Sequence, residues 1–454
     1  MKTRSMDLVN GPVVSGIIRY TIPIVLSSAL QLLFNAADLM VVGQFCGSLS
    51  VGAISSTGAI TNLIINLFVG LSVGAGVCVA HAIGSRREQD LRETVHTAIP
   101  LAILSGLVLT VIGMAVTRPM LKLMGTPEDV LPLSATYMMI YFGGVTFTLL
   151  YNFGSAILRA AGDTRSALIY LTLAGILNVI LNLVFVICFH MNVAGVGLAT
   201  VISQALSAIL VLREIMRRPD ACRFEFWKSH IYLVPLRKMI TIGLPAGIQG
   251  CLFSASNVVI QSSVNSFGSV MVAGCGAASN IEGFIWTTMS GVSQAAVNYI
   301  GQNLGAGQFD RIRKVFRSCL YIVTFLGLTM GIAAYIYAPQ LLSIYITDSP
   351  EAIAAGQSRM MFIALPYFLG GIMDMSTGAL RGLGKSLLPM LVTILGVCVL
   401  RVVWVSTIFQ VFHTPACLFL SYPVSWLITE IVQFILFKTS LKKLEAQAAL
   451  PSQV

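Results

Sequence analysis

The chain is short of charge. Only 10% of its 454 residues are Asp, Glu, Lys or Arg, where soluble proteins carry about 25%. Beside a hydrophobic share of 56%, that scarcity excludes a soluble globular domain and points to a polytopic membrane protein. Acidic residues are the scarcer sign, 18 against 28 basic ones. Between Asp7 and Glu88 the one carboxylate is Asp38, set inside LQLLFNAADLMVVG (30–43). Ligand patterns are missing too. The nine cysteines show no CxxC and no His–Cys spacing, so they read as small apolar packing residues, and no metal site or cofactor is expected. The five histidines are isolated from one another and read as structural. The opening MKTRSMDLVNGPVVSGIIRYTIP has no apolar stretch followed by a cleavage site, so no cleaved signal peptide is expected.

What the chain has in abundance is long apolar runs. Segments able to cross about 30 Å of hydrocarbon recur twelve times, with cores at 15–42, 51–81, 92–117, 130–158, 165–189, 193–216, 236–266, 271–302, 311–338, 353–380, 386–409 and 414–437. Several approach 30 residues, so tilted or bent helices are expected. If the N-terminus is cytoplasmic, 24 of the Lys and Arg residues fall on the cytoplasmic side and only Arg118, Lys122 and Arg359 on the other, with Arg401 inside a span. That asymmetry predicts that both termini are cytoplasmic, and the expected location is the bacterial inner membrane. The net charge of +10 sits in short loops, where it suits anionic lipid and needs no nucleic-acid partner.

The chain also repeats itself. PIVLSSALQLLFNAADLMVVG from residue 23 answers PAGIQGCLFSASNVVIQSSVN from residue 245, an offset of 222. IGSRREQDLRETV (83–95) answers LGAGQFDRIRKVF (304–316), and AILRAAGDTR (156–165) answers GALRGLGKSL (378–387). Each half holds six spans, an even number, so the repeats are parallel and related by an axis along the membrane normal. The expected organisation is an N-terminal lobe over 1–218, a basic linker over 219–235 and a C-terminal lobe over 236–454. Two similar bundles suggest a cleft and alternating access, which is transporter architecture.

With these features in place, the sequence resembles the multidrug and toxic compound extrusion (MATE) family of the multidrug/oligosaccharidyl-lipid/polysaccharide flippase superfamily, over essentially its whole length. The carrying features are the twelve spans in two six-span lobes, the IP before a long first helix, the paired LRAAGDT and LRGLGKS loops, and VAGVGLATVISQ opening span 6. The resemblance implies an all-α fold of twelve transmembrane helices in two pseudo-symmetric lobes. It also implies a non-enzymatic antiporter that exports organic cations or amphiphilic drugs and toxins in exchange for H+ or Na+. Its partners would be the small-molecule substrate and the bilayer, and the chain is expected to act as a monomer. The runner-up is a flippase or exporter of a lipid-linked or other endogenous metabolite.

The polar residues inside the spans carry the mechanism. A carboxylate at a helix centre costs about 2.5–3.5 kcal/mol on insertion scales, so by default it faces a cavity and marks an ion or substrate path. The bland alternative is a carboxylate capped by neighbouring hydroxyls and amides that only specifies packing. Asn178 and Asn182 stand at i and i+4, on one face of span 5, and Thr200 lies on span 6. The resemblance implies a cation site of these residues with Asp38, fifteen residues after Pro23, and adds Tyr137 and Asn152 on span 4. One position departs from the family: the second span 5 residue is often Asp and here is Asn182. A single carboxylate among amides suits one proton better than Na+, so H+ is the expected coupling ion, with Na+ at the same site as the alternative. Pro23 is either a fixed bend or a hinge.

In the C-terminal half, Glu282, Asp374 and Arg401 lie within spans and read as either a charge-paired cluster or a second coupling site. NorM-type members carry a Glu and an Asp at positions that correspond here to Phe253 and Gly370, so that acidic pair is absent. Glu430 reads as an interfacial carboxylate. GLSVG (70–74) fits a nucleophile-elbow pattern but lacks the strand–turn–helix context; its glycines read as a helix-packing face. An intramembrane enzyme finds no support in paired carboxylates or a His-rich set.

Overall fold

A backbone crossing lipid must satisfy its own hydrogen bonds, and this sequence does so with helices. The computed structural model describes residues 5–347 and 349–449, without the side chains of 48, 55, 56, 59, 60, 62 and 63. The outer ends of the two expected lobes, with Lys2 and Arg4 of the charge count, lie outside the described residues. The first six spans are α1 (Val13–Phe45), α2 (Ser48–Gly84), α3 (Glu88–Leu123), the pair α4 (Leu131–Gly143) and α5 (Val145–Ala160), α6 (Thr164–Leu183) and α7 (Asn192–Arg217). Then follow α8 (Leu233–Asn265), α9 (Ser269–Gly305), α10 (Phe309–Ile336), the short α11 (Ala338–Ser343), and the pair α12 (Pro350–Ile363) and α13 (Tyr367–Gly382). The chain closes with α14 (Leu387–Thr393), α15 (Leu400–Ser406), α16 (Ile408–Val411) and α17 (Pro415–Ala449). π-helical turns extend α6 over 184–188 and join α14 to α15 over 394–399.

Among the described residues, nine helices are long and apolar enough to cross a membrane, and the two bent pairs raise the number to 11. The twelfth span is α9, whose 37 residues run about 55 Å at 1.5 Å per residue, with a more polar sequence. The protein is therefore a multi-pass, twelve-helix membrane protein. The bends obey the repeat: α4–α5 turns by 47° and α12–α13 by 49°. Gly143-Gly144 lies at the first break and Leu365-Pro366 at the second, both recognised causes of helix kinks.

The paired loops have a structural role. In LRAAGDT, Gly162 takes φ +83°, where a Cβ would come within 2.4 Å of the Met6 carbonyl oxygen. Asp163 then caps α6, accepting from the Ser166 backbone N–H at 3.0 Å and its hydroxyl at 2.7 Å. Such a cap adds about 1 kcal/mol. In LRGLGKS, Gly384 takes φ +75° in the same way.

Contacts divide the chain into two units, one of Met1–Asp7 with Leu26–Cys251, the other of Leu8–Val25 with Leu252–Val454. This differs from lobes split at 219–235. The first unit takes in the leading half of α8, and the second takes in the leading half of α1.

Glycine faces explain the first of these placements. A Cβ on Gly70 would lie 2.2 Å from the Gly247 nitrogen, and one on Gly74 2.3 Å from the Met239 carbonyl oxygen. GLSVG on α2 and GLPAG on α8 thus let two backbones touch. In the second unit, Gly291 of α9 receives Val25, and the Tyr20 and Tyr299 rings meet edge to face at 5.6 Å. Asn303 Nδ2 donates to the Leu8 carbonyl at 3.1 Å.

In the first unit the basic linker is tied down. Arg218 reaches Asp220 at 2.8 Å and Ser5 at 2.9 Å. His96 accepts at Nε2 from the Glu225 backbone N–H at 3.2 Å, and its Nδ1 lies 2.8 Å from the Arg92 carbonyl oxygen.

Candidate functional site

In the first unit the site is set by how α1 meets α6. Phe34, one turn before Asp38, lies over Gly175, one turn before Asn178; a Cβ on Gly175 would sit 1.8 Å from the ring. That close fit fixes the register of the two helices. Beyond the site, Val41 and Val42 of α1 join Val186 and Val196 in one apolar cluster, with Tyr137 packed against it. Val196 stands one turn before Thr200 on α7. The polar residues are therefore held between two apolar layers.

Within that frame, Asn182 Nδ2 donates to Asp38 Oδ1 and also reaches Asn178 Oδ1 at 3.3 Å. Asp38 is half-buried, Asn178 is 5% exposed and Asn182 fully buried. Asn182 Oδ1 is buried without a hydrogen-bond partner among the described residues. The other expected members are less directly engaged. Thr200 donates to the Val196 carbonyl at 2.9 Å and Asn152 to the Thr148 carbonyl at 2.8 Å, each within its own helix. Tyr137 stacks on Tyr141 with ring centroids 6.2 Å apart, and its ring packs on Gly197 of α7. The structure thus joins Asp38, Asn182 and Asn178 by hydrogen bonds, and sets Tyr137 and Thr200 on adjoining elements. Pro23 lies within α1, two residues before the point at which that helix passes from one unit to the other.

The C-terminal polar residues do not form one cluster. Glu282 binds Arg359, at 2.8 Å and 3.1 Å. Arg359, counted on the membrane's outer side by the charge asymmetry, is 6% exposed on α12. Arg401 stands in the same cavity with its guanidinium over the Tyr422 ring, 4.0 Å from the centroid. Asp374 is apart: Arg381 is the charge beside it, and its carbonyl accepts from Ser293 at 2.9 Å. Glu430, expected at an interface, is buried and accepts from the Ser376 hydroxyl at 3.0 Å. Phe253 and Gly370 both adjoin the aromatic lining of that cavity: Phe253 stacks on Trp286, and Gly370 makes room for the Trp426 indole. No group of three or more His, Cys, Asp or Glu residues able to hold a metal ion occurs among the described residues.

Comparison with known proteins agrees with this architecture. A probable multidrug resistance protein of Bacillus subtilis, YoeA, is 27% identical over 387 residues, 83% of each chain. An FAD transporter of Shewanella oneidensis is 25% identical over 407 residues, 88% of each chain. The crystal structure of MATE in the bent conformation superposes with a TM-score of 0.90 at 20% identity, covering 98% of both chains. The MatE family model matches twice, over residues 23–184 and again over 245–406, which is the internal repeat at its offset of 222. With both halves matched and the fold superposed end to end, the chain belongs to the MatE family.

Proposed function

We propose that the protein is an H+-coupled antiporter that exports organic cations or cationic amphiphiles by alternating access, with Asp38 as the proton carrier. One observation carries the reading: a carboxylate in the middle of an apolar helix, hydrogen-bonded to Asn182, whose own Oδ1 is buried and without a partner among the described residues. The multidrug resistance name of the Bacillus subtilis relative supports the substrate class.

The chemistry follows from what an amide can do. Toward an ionised Asp38, Asn182 donates through Nδ2; toward a protonated Asp38, rotation of the amide presents Oδ1 as acceptor. Proton uptake therefore reverses the direction of one hydrogen bond and leaves no charge on α1. Asn178 and Asn182 offer amide oxygens but no second carboxylate, which favours a proton over Na+. Pro23 lets α1 bend between the two protonation states, because the helix lacks one backbone hydrogen bond there. Both termini face the cytoplasm in this reading, so export runs outward against inward H+.

Exchange of one proton for one monovalent cation moves no net charge. The membrane potential, about 2.3 kcal/mol per charge per 100 mV, then contributes nothing, and a pH gradient supplies about 1.4 kcal/mol per pH unit. The test is efflux of a fluorescent organic cation from proteoliposomes under an imposed H+ or Na+ gradient. Wild type should respond to H+ and Asp38→Asn should not; coupled efflux by the mutant would overturn the reading.

A further inference from the structure

In the second unit, Glu282, Arg359 and Arg401 converge on a cavity of about 420 Å³, lined by α8, α9, α12, α13, α15 and α17. That volume lies within the range of small-molecule sites, about 300–1,000 Å³. Its walls are aromatic. Trp286 stacks on Phe253 at 6.4 Å and meets Tyr367 edge-on at 6.2 Å, and Tyr367 meets Trp426 edge-on at 5.2 Å.

The charges of the lining do not cancel. Glu282 is occupied by the two-point pair with Arg359, so Arg401 leaves the cavity one positive charge. Arg401 is 1% exposed. Its guanidinium face is taken by the Tyr422 ring and its Nε donates to Ser425 at 3.0 Å. Stacking engages the face of a guanidinium and leaves the in-plane N–H groups free. An arginine has five N–H donors, and both Nη atoms of Arg401 lack a hydrogen-bond partner among the described residues. Trp426 Nε1, a further donor of the same lining, is buried and equally without one among those residues.

A buried set of donors with no acceptor, beside a net positive charge, is costly unless an anion completes it. An organic cation is poorly served here, since Arg401 already occupies the Tyr422 face and would repel it in a low-dielectric site. We propose that this cavity binds a small aromatic anion, a ring bearing one carboxylate. The carboxylate takes the Arg401 Nη donors and the Trp426 Nε1–H, and the ring lies among Trp286, Tyr367 and Phe253. This goes beyond the export of cations at Asp38 and does not rest on it.

The test is calorimetric titration of the purified full chain with 2-naphthoate and with neutral 2-naphthamide, without any ion gradient. Because charge-assisted pairing is at stake, the wild type should bind naphthoate about tenfold or more tightly than the amide. Arg401→Gln should abolish that preference, and Arg401→Lys should retain part of it, since the charge stays but the fork is lost. Trp426→Phe, which keeps a ring but removes the donor, should weaken naphthoate more than the amide, because the charge-assisted bond is the stronger one. Equal binding of the two probes to the wild type, or no binding of naphthoate, overturns the proposal whatever the variants do. An undiminished preference in a folded Arg401→Gln protein, verified by its thermal transition, overturns it as well.

Discussion

At the scale of single residues, the pair at i and i+4 on one helix face was legible because helical spacing is local. Asn178 and Asn182 could be placed together from their numbers alone, and a carboxylate in an apolar run announces itself by its insertion cost. Partners distant in sequence were not legible. Glu282 and Arg359 are 77 residues apart, and Arg359 sits close enough to a span end to be counted outside the membrane. The pair is almost fully buried, so removing one member strands the other. Glu282→Gln should destabilise the protein by about 3–5 kcal/mol, and Glu282→Gln with Arg359→Met should recover most of it. Thermal unfolding in detergent, read by size exclusion, checks both; a single mutant as stable as wild type would contradict the structure. Asn182→Leu removes the donor to Asp38 and should slow H+-driven efflux by about tenfold at equal protein density, the effect of losing one hydrogen bond to a charged group.

At the scale of elements, the helices were readable from hydropathy, since about 20 apolar residues can do little else in lipid. The half-helix exchange was not. Which backbone GLSVG touches depends on a second glycine face, GLPAG, that only the fold brings beside it. The helix breaks at Gly143-Gly144 and Leu365-Pro366 were equally hidden, because glycine and proline are common in membrane helices and only some of them kink. The close fit of Phe34 on Gly175 holds the register of α1 against α6, so Gly175→Val should cost about 1–3 kcal/mol through overpacking and should impair efflux. Phe34→Ala in the same chain should return part of the stability. A Gly175→Val protein with unchanged melting and transport would remove the register argument.

At the scale of the whole molecule, the repeat was legible in three matched stretches, and the family model recovers it at the same offset. The charge asymmetry carries the proposed orientation, and thiol chemistry can read it. Cys188 is exposed at the end of the fifth span, and Cys222 is buried in the linker, where burial pushes its thiol up to about 12. A thiol held so high stays protonated at neutral pH and does not attack maleimide. A membrane-impermeant maleimide on intact cells should therefore label Cys188, and Cys188→Ala should reduce the signal; labelling of Cys188 only after permeabilisation would reverse the orientation. The central claim is that Asp38 exchanges a proton for substrate, and the most direct measurement follows the proton itself. Purified protein in weakly buffered detergent solution is mixed with a transported organic cation while the pH is recorded. Wild type should release protons on binding and Asp38→Asn should release none; equal release from both would contradict the role of Asp38.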